Sequence, residues 1–270
     1  MKLRTLLLLS TWFASFSAQA ALSPDSPTVL ITGANRGIGL ELAKQYAERG
    51  WNVIPTTRRS IDDPGADDLR ALAAKYPKVV IERIDVADTA MIRGVAAKYK
   101  DQPIDVLINN AANVETTLAA DVAILNTPYD KIDFDAARRD FDVNTLGPMR
   151  MVQAFMPSVL KSKHKKLVAV SSLAGSFGKP MPGAMGMNYG ASKAALNKYM
   201  QLLSHGVKDK GVIVSIVQPV FVASKKDMKD NPRAAPVDQE IAKLIKIIDG
   251  MTMKHSGIIT NFSTGETDPF

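Results

Sequence analysis

The chain predicts a single-domain α/β fold, a doubly wound parallel sheet with helices on both faces. Three observations carry that expectation. Strand-like and helix-like segments alternate from Thr28 onward, and the strands read as continuous apolar runs. The first strand also enters a glycine-rich turn, Thr32-Gly33-Ala34-Asn35-Arg36-Gly37-Ile38-Gly39, which opens a helix. Parallel strands need crossover connections, and a sheet built that way is covered on both sides. Ligands of such sheets bind outside the carboxyl ends of the strands.

Thr28–Ile31 is β-branched and apolar, as a buried strand should be. Glycines in the turn after it let the backbone approach a phosphate, and the helix start points free N–H groups there. That helix runs from about Leu40 to Gly50, a C-cap residue type. The second strand is Val53–Thr57; Pro55 inside it lacks a ladder donor, and nothing local accounts for it. A helix at Asp67–Lys75, a strand at Val79–Asp85 and a helix at Thr89–Tyr99 follow. Strand Ile104–Ile108 then runs into Asn109-Asn110-Ala111-Ala112.

In the second half, a helix over Ala136–Leu160 carries Asn144 and should bend at Gly147-Pro148. Strand Lys166–Val170 ends in Ser171-Ser172, and a Gly/Pro/Met-rich loop leads to a helix from Tyr189 to about Val207. Strand Val212–Val217, an irregular stretch from Gln218-Pro219, helix Val237–Asp249 and strand Gly257–Asn261 complete the fold. No composition break divides the chain.

At 270 residues, 46% hydrophobic and 23% charged, the composition is that of a soluble globular protein. The net charge of +7 is scattered, apart from Lys161-Ser162-Lys163-His164-Lys165-Lys166. No aromatic residue interleaves with that run, so it reads as a solvated loop and not as a nucleic-acid surface. Without cysteine there is no disulfide, thiolate nucleophile or cysteine-bound zinc. His164, His205 and His255 show no ligand spacing, so no metal is expected.

Lys2 and Arg4 precede an apolar run from Thr5 to Phe16, and Ala18-Gln19-Ala20 offers small residues for cleavage. That is the layout of a secretory signal peptide. The run is too short for a stable membrane span. Residues 1–20 are therefore assigned to a signal peptide, 21–27 to a linker and 28–270 to a single folded domain. The expected location is periplasmic or secreted, and cytoplasmic if the signal is not used.

Tyr189 and Lys193 stand four apart on one helix face. A free tyrosine has a pKa near 10, roughly three units too high for proton transfer at neutral pH. A lysine ammonium one turn away favours the phenolate. Tyrosine and lysine occur at that spacing on many helices. Ser171-Ser172 at a strand end, together with the phosphate loop, lifts this pair above chance, because a serine hydroxyl there can hold a developing oxyanion.

With these motifs assembled, the chain resembles the short-chain dehydrogenase/reductase family, whose fold is of Rossmann type. The matching residues are Thr32-Gly33, Gly37-Ile38-Gly39, Asp85-Val86, Asn109-Asn110-Ala111, Asn144, Ser172, Tyr189, Lys193 and Pro219. Within the family it is most similar to the C-factor and Sniffer-like carbonyl reductases, through Asn35-Arg36, the basic end of the second strand and the closing Ser263–Phe270 segment. The resemblance implies hydride transfer between a nicotinamide and a carbonyl or secondary alcohol. It makes Tyr189 the general acid/base, Lys193 the residue lowering its pKa and holding the nicotinamide ribose, and Ser172 the group steadying the substrate oxygen. Asn144 would keep the helix bend and a proton-relay water. Gly33, Asn35, Arg36, Gly37, Ile38, Gly39 and Arg58 would hold the phosphates and adenine ribose. Asp85 and Val86 would meet the adenine, with Asn109, Asn110 and Ala111 behind the cofactor and Pro219, Val222 and Ser224 at its nicotinamide end.

The second strand ends in Thr57-Arg58-Arg59, where an acidic residue would favour NAD; with Arg36 nearby, the basic residues favour NADP over NAD. Two positions depart from the family pattern. Ala112 and Val220 stand where glycines are usual, and a Val220 forced to positive φ would be strained. Loops 113–134, 178–188 and 221–236 should form the entrance, with Phe177, Met181, Met185, Met187 and Phe221 as apolar lining or simple packing. A small-molecule carbonyl or alcohol is the expected partner, with a homodimer possible. The alternative is a cofactor-binding sensor with little turnover, favoured by the export signal; an epimerase or dehydratase using the same tyrosine is a third class.

Overall fold

The structure, a computed structural model, describes residues 22–113, 129–179, 186–223 and 231–270. The signal segment 1–20 lies outside them, as do Met181, Met185, Ser224 and most of the three entrance loops.

The observed elements are β1 (Thr28–Ile31), α1 (Gly37–Glu48), β2 (Asn52–Thr57), α2 (Asp67–Lys75), β3 (Glu82–Arg83), α3 (Thr89–Lys98) and β4 (Val106–Asn109). They continue with α4 (Phe134–Phe141), α5 (Gly147–Lys161), β5 (Lys166–Val170), α6 (Met187–Gly206), β6 (Ile213–Gln218), α7 (Val237–Gly250), β7 (Ile259–Asn261) and β8 (Thr267–Asp268). The strands form one sheet in the order β3-β2-β1-β4-β5-β6-β7-β8. All pairings are parallel except β7 with β8.

Side-chain alternation along the strands splits the apolar set into two cores. Val29, Ile31, Val106 and Ile108 face Leu42 and Tyr46 of α1 and Leu244 and Ile248 of α7. Leu30 and Leu107 face Ile92 of α3, Phe155 of α5 and Met200 of α6. With both faces covered, a strand needs no polar side, which is why β1, β4 and β5 are buried at every residue.

Pro55 finds its explanation in register. Along β2 the even residues bond toward β1, Asn52 N–H donating to Pro27 and Thr56 C=O accepting from Ala34. The odd residues face the β3 side, where Val53 N–H donates to Lys78 and Thr57 C=O accepts from Ile84. Pro55 pairs with Ile31 but turns its missing donor outward. There the ladder is interrupted, leaving a single bridge at Val53–Val79 and a two-residue β3. The continuous strand expected over 79–85 is therefore not formed. The missing donor thus breaks the β2–β3 ladder and leaves the β1–β2 ladder intact.

The irregularity expected at Gly147-Pro148 sits one turn earlier, as a π turn over Asp142–Leu146. Gly147 N–H bonds the carbonyl of Asp142 five residues back. Pro148 has no N–H to offer Asn144 C=O, so the widened turn leaves that carbonyl without its α-helical partner. Gly147 is needed for packing, since a Cβ there would lie 2.9 Å from Val86 Cγ2.

Candidate active site

The sheet reverses its winding between β1 and β4, and the turns leaving these two strands are laced together. Thr32 Oγ1 accepts from the backbone N–H groups of Asn110 (2.9 Å) and Ala111 (3.0 Å). Asn110 Nδ2 donates to the carbonyls of Thr32 (2.9 Å) and Gly33 (3.1 Å). Gly33 takes a φ of 64°, and a Cβ on it would come 2.8 Å from Ala111 Cα. Gly39 has even less room, with Gly33 O at 2.5 Å from the place of a Cβ. Gly37 adopts φ 58°.

The arrangement fits a bound phosphate. Arg36 is the N-cap of α1 yet makes no side-chain cap bond, and the first turn of the helix holds no acidic residue. Its unpaired N–H groups and positive dipole end are left for an anion. Arg36 and Arg58 are both exposed and have no ion-pair partner among the described residues, whereas Arg59 is bonded to Asp63 at 3.2 Å. Asn35 Nδ2 donates to Gly65 O at 3.2 Å, fixing the loop against the segment before α2. The buried side chain of Asn109 has no partner on either amide atom among the described residues. Asp85 is half-buried with Oδ1 accepting from Ala87 N–H, and the Val86 carbonyl accepts from Arg150 at 3.3 Å.

Tyr189, Lys193 and Ser172 converge at the carboxyl end of β5. Lys193 is 2% exposed, its Nζ 5.7 Å from the Tyr189 ring centroid and donating to Val170 O at 2.9 Å. Burial pulls its pKa down to about 8, with the Asp140 carboxylate acting against that shift. Burial pushes the Tyr189 phenol above its usual value; the Ser172 hydroxyl bonded to it acts in the opposite sense, and the Asp140 charge raises it further. Gly175 and Gly190 allow this close approach, since a Cβ on the first would lie 2.7 Å from the Lys193 carbonyl carbon and one on the second 2.8 Å from Ala174 O.

The two serines are unlike. Ser171 is buried and donates to Asn197 Oδ1 at 2.5 Å, and Asn197 in turn donates to Gly175 O. Ser172 is half-buried, its Oγ accepting from Ala174 N–H at 3.2 Å and bonding Tyr189. Only Ser172 stands beside the tyrosine.

Asn144 is buried with its side chain fully used. Its Oδ1 accepts from Asn113 N–H (2.7 Å), and its Nδ2 donates to Asn113 O (2.9 Å) and Ser192 Oγ (3.0 Å). Asn113 Nδ2 continues to Asp140 Oδ1 at 2.9 Å. Asn113, Asp140 and Ser192 were not anticipated as part of this centre. Asp140 precedes Asn144 by one helical turn, a signal that its spacing alone could have given.

At the far wall, Val222 is buried and bridges Ala235, while Pro219 is half-buried. The strain expected at Val220 is absent: among the described residues only Lys165 combines a side chain with positive φ. Val220 lies at the surface, 36% exposed, in ordinary backbone geometry, and Ala112 is likewise exposed. Phe177 and Phe221 are both exposed, and Met187 opens α6. Among the described residues no cluster of His, Asp and Glu could hold a metal, and no helix is long and apolar enough to cross a membrane.

A family profile for short chain dehydrogenases matches residues 27–235. The NADPH-bound carbonyl reductase from chicken fatty liver superposes with a TM-score of 0.80 at 28% identity, over 91% of this chain and 99% of that one. The carbonyl reductase Sniffer of D. melanogaster shares the fold, with a TM-score of 0.79 at 22% identity over 91% of this chain and all of its own. A 1-hydroxy-2-glutathionyl-2-methyl-3-butene dehydrogenase of Rhodococcus sp. (strain AD45) is 31% identical over 232 residues, 85% of this chain and 94% of that protein.

Proposed function

The chain belongs to the short chain dehydrogenase family and is an oxidoreductase of that family; from that premise we propose that it is an NADP-dependent enzyme interconverting a small carbonyl compound and its secondary alcohol. The observation that carries this reading is the convergence of Tyr189, Lys193 and Ser172 at one strand end, with a fully buried ammonium beside the phenol.

NADPH, when bound, supplies the hydride. Gly33, Asn35, Arg36, Gly37, Ile38 and Gly39 would hold its phosphates, and the free guanidinium groups of Arg36 and Arg58 suit a 2′-phosphate, bonding it by charge-assisted donors. The Ser172 hydroxyl donates to the substrate oxygen and strengthens that bond as negative charge develops there. Tyr189 delivers its proton to the same oxygen, and in the reverse direction removes it from the alcohol. Lys193 favours the phenolate left behind by placing a positive charge close to it in a desolvated setting. The Asn144 carbonyl, released by Pro148, is the acceptor for a relay water that returns the proton.

NADP is preferred to NAD in this reading because no carboxylate ends β2 to bond a ribose 2′-hydroxyl. Residues 1–20 direct export. A homodimer would cover the open depression of about 590 Å³ on α5 and α6 lined by Leu146, Met149, Met156 and Leu203, which light scattering tests directly.

The deciding experiment incubates the mature protein with NADPH and a panel of aldehydes and ketones, following nicotinamide absorbance. Turnover that disappears in Tyr189→Phe supports the enzyme. Tight NADPH binding with no turnover on any carbonyl would replace it with the sensor.

A further inference from the structure

The short strand β8 and the two residues after it hold the loop that follows Ser172. Ser176 Oγ donates to Pro269 O at 2.8 Å, and Gly178 N–H donates to Phe270 O at 2.7 Å. Contact is so close at Gly178 that a Cβ there would lie 2.5 Å from Pro269 Cβ. Phe270 itself packs against the core that includes Leu196 and Met200 of α6.

At the centre of this strap is Asp268, a carboxylate only 4% exposed. One of its oxygens is paired with Lys179 Nζ, and the other accepts from Gln218 Nε2 at 3.1 Å. Lys179 belongs to the loop between Ser172 and Tyr189; Gln218 ends β6, immediately before Pro219. A single buried charge therefore joins both walls beside the site to a strand that contributes nothing to the chemistry. A buried carboxylate persists only when paired and hydrogen-bonded, so losing either partner loosens the whole junction.

We propose that Asp268 is a positioning residue that sets substrate affinity by fixing the Ser176–Lys179 segment against the end of β6. It stands apart from proton transfer and from the glycine loop, so the step it governs is the fit of the carbonyl compound. The affinity part of the inference rests on the oxidoreductase reading; the strap itself does not.

The test uses the full chain carrying Asp268→Asn. Should that variant not fold, Lys179→Gln takes its place, since the Lys179 side chain is 46% exposed. Hydrogen exchange of the backbone amides at 176–179 is expected to speed about ten-fold while α6 keeps its protection. With the best carbonyl of the panel, KM should rise about ten-fold, with kcat within about two-fold and NADPH affinity unchanged. Unchanged exchange, or unchanged KM, overturns the proposal. So does a joint loss of kcat and NADPH affinity, which would mark general damage. If the wild-type protein turns over no carbonyl, the functional reading fails by itself, and the exchange measurement alone decides the strap.

Discussion

Gly39→Ala is the sharpest test of the phosphate cradle, because the structure allows its cost to be worked out. The added Cβ would sit 2.5 Å from Gly33 O, 2.6 Å from Asn110 Nδ2 and 2.9 Å from Ala34 Cα. Two of these are backbone atoms, and the third belongs to a side chain already committed to Thr32 O and Gly33 O. No flexible tip is available to move aside. Overpacking of this kind costs about 1–3 kcal/mol, and breaking one Asn110 bond adds about 1. For a domain of this size that amounts to a melting point lower by roughly 10 °C. The turn displaced by the methyl also carries the N–H groups of the cradle, so NADPH affinity should fall at least about ten-fold.

Gly94→Ala is the matched control. Gly94 lies within α3, and nothing comes within 4 Å of its Cβ position. There the methyl removes only unfolded-state freedom, and the variant should gain about 0.5–1 kcal/mol. Thermal melts and NADPH fluorescence titrations of both variants settle the matter. Wild-type stability and affinity in Gly39→Ala would refute the close-packed cradle.

Arg58→Ala and Arg36→Ala should each weaken NADPH relative to NADH by about 10- to 100-fold, the worth of about 1.5–3 kcal/mol for a charge-assisted bond; Arg59→Ala, whose partner is Asp63, should leave the ratio unmoved. Lys193 loses its proton near pH 8 instead of 10.5, so carbonyl reduction should hold level below about pH 8 and decline above it. A reduction profile still rising at about pH 9 would refute that assignment. Ser172→Ala should abolish turnover at a small cost in melting point, the loss of its bond from Ala174 N–H. Ser171→Ala should leave turnover and lower the melting point more, because it strips Asn197 of a buried partner. N-terminal sequencing of protein from its native host should find Ala21 first; an intact Met1 in soluble protein sinks the export reading.

The long elements were legible because their signals are local. β5 has the expected bounds, and α1, α3 and α6 shift by no more than three residues at either end, since buried parallel strands and amphipathic helices are written in short windows of sequence. Features that depend on distant partners were not legible. β3 shrinks because Pro55 faces it across the ladder. β8 is two residues in a polar segment, and among the described residues it is Lys179 and Gln218, 89 and 50 positions away, that pair with the buried Asp268. The same holds within the site. Tyr189 and Lys193 stand out by spacing, whereas Asn113 joins Asn144 and Asp140 through bonds spanning 31 and 27 residues.

That hidden network bears on the ionisation of Tyr189 and Lys193. A phenolate at Tyr189 needs positive charge nearby, yet Lys193 is aimed at Val170 O and burial weakens its hold on a proton. Burial also raises the phenol, and the Asp140 charge raises it further, so both causes keep Tyr189 in its acid form at neutral pH. Only the Ser172 contact works the other way. A protonated resting tyrosine is the form that donates to a substrate oxygen, and alcohol oxidation needs the phenolate, so the two directions should respond oppositely to these charges. The carboxylate of Asp140 acts on both partners at once, favouring the ammonium at Lys193 while opposing the phenolate at Tyr189. Asp140→Asn should therefore move the decline in reduction to lower pH as Lys193 releases its proton more readily, while easing ionisation of the tyrosine for alcohol oxidation. Measuring both directions across pH in this variant separates the two effects, and a decline that stays where it is in the wild type would show that Asp140 does not govern Lys193.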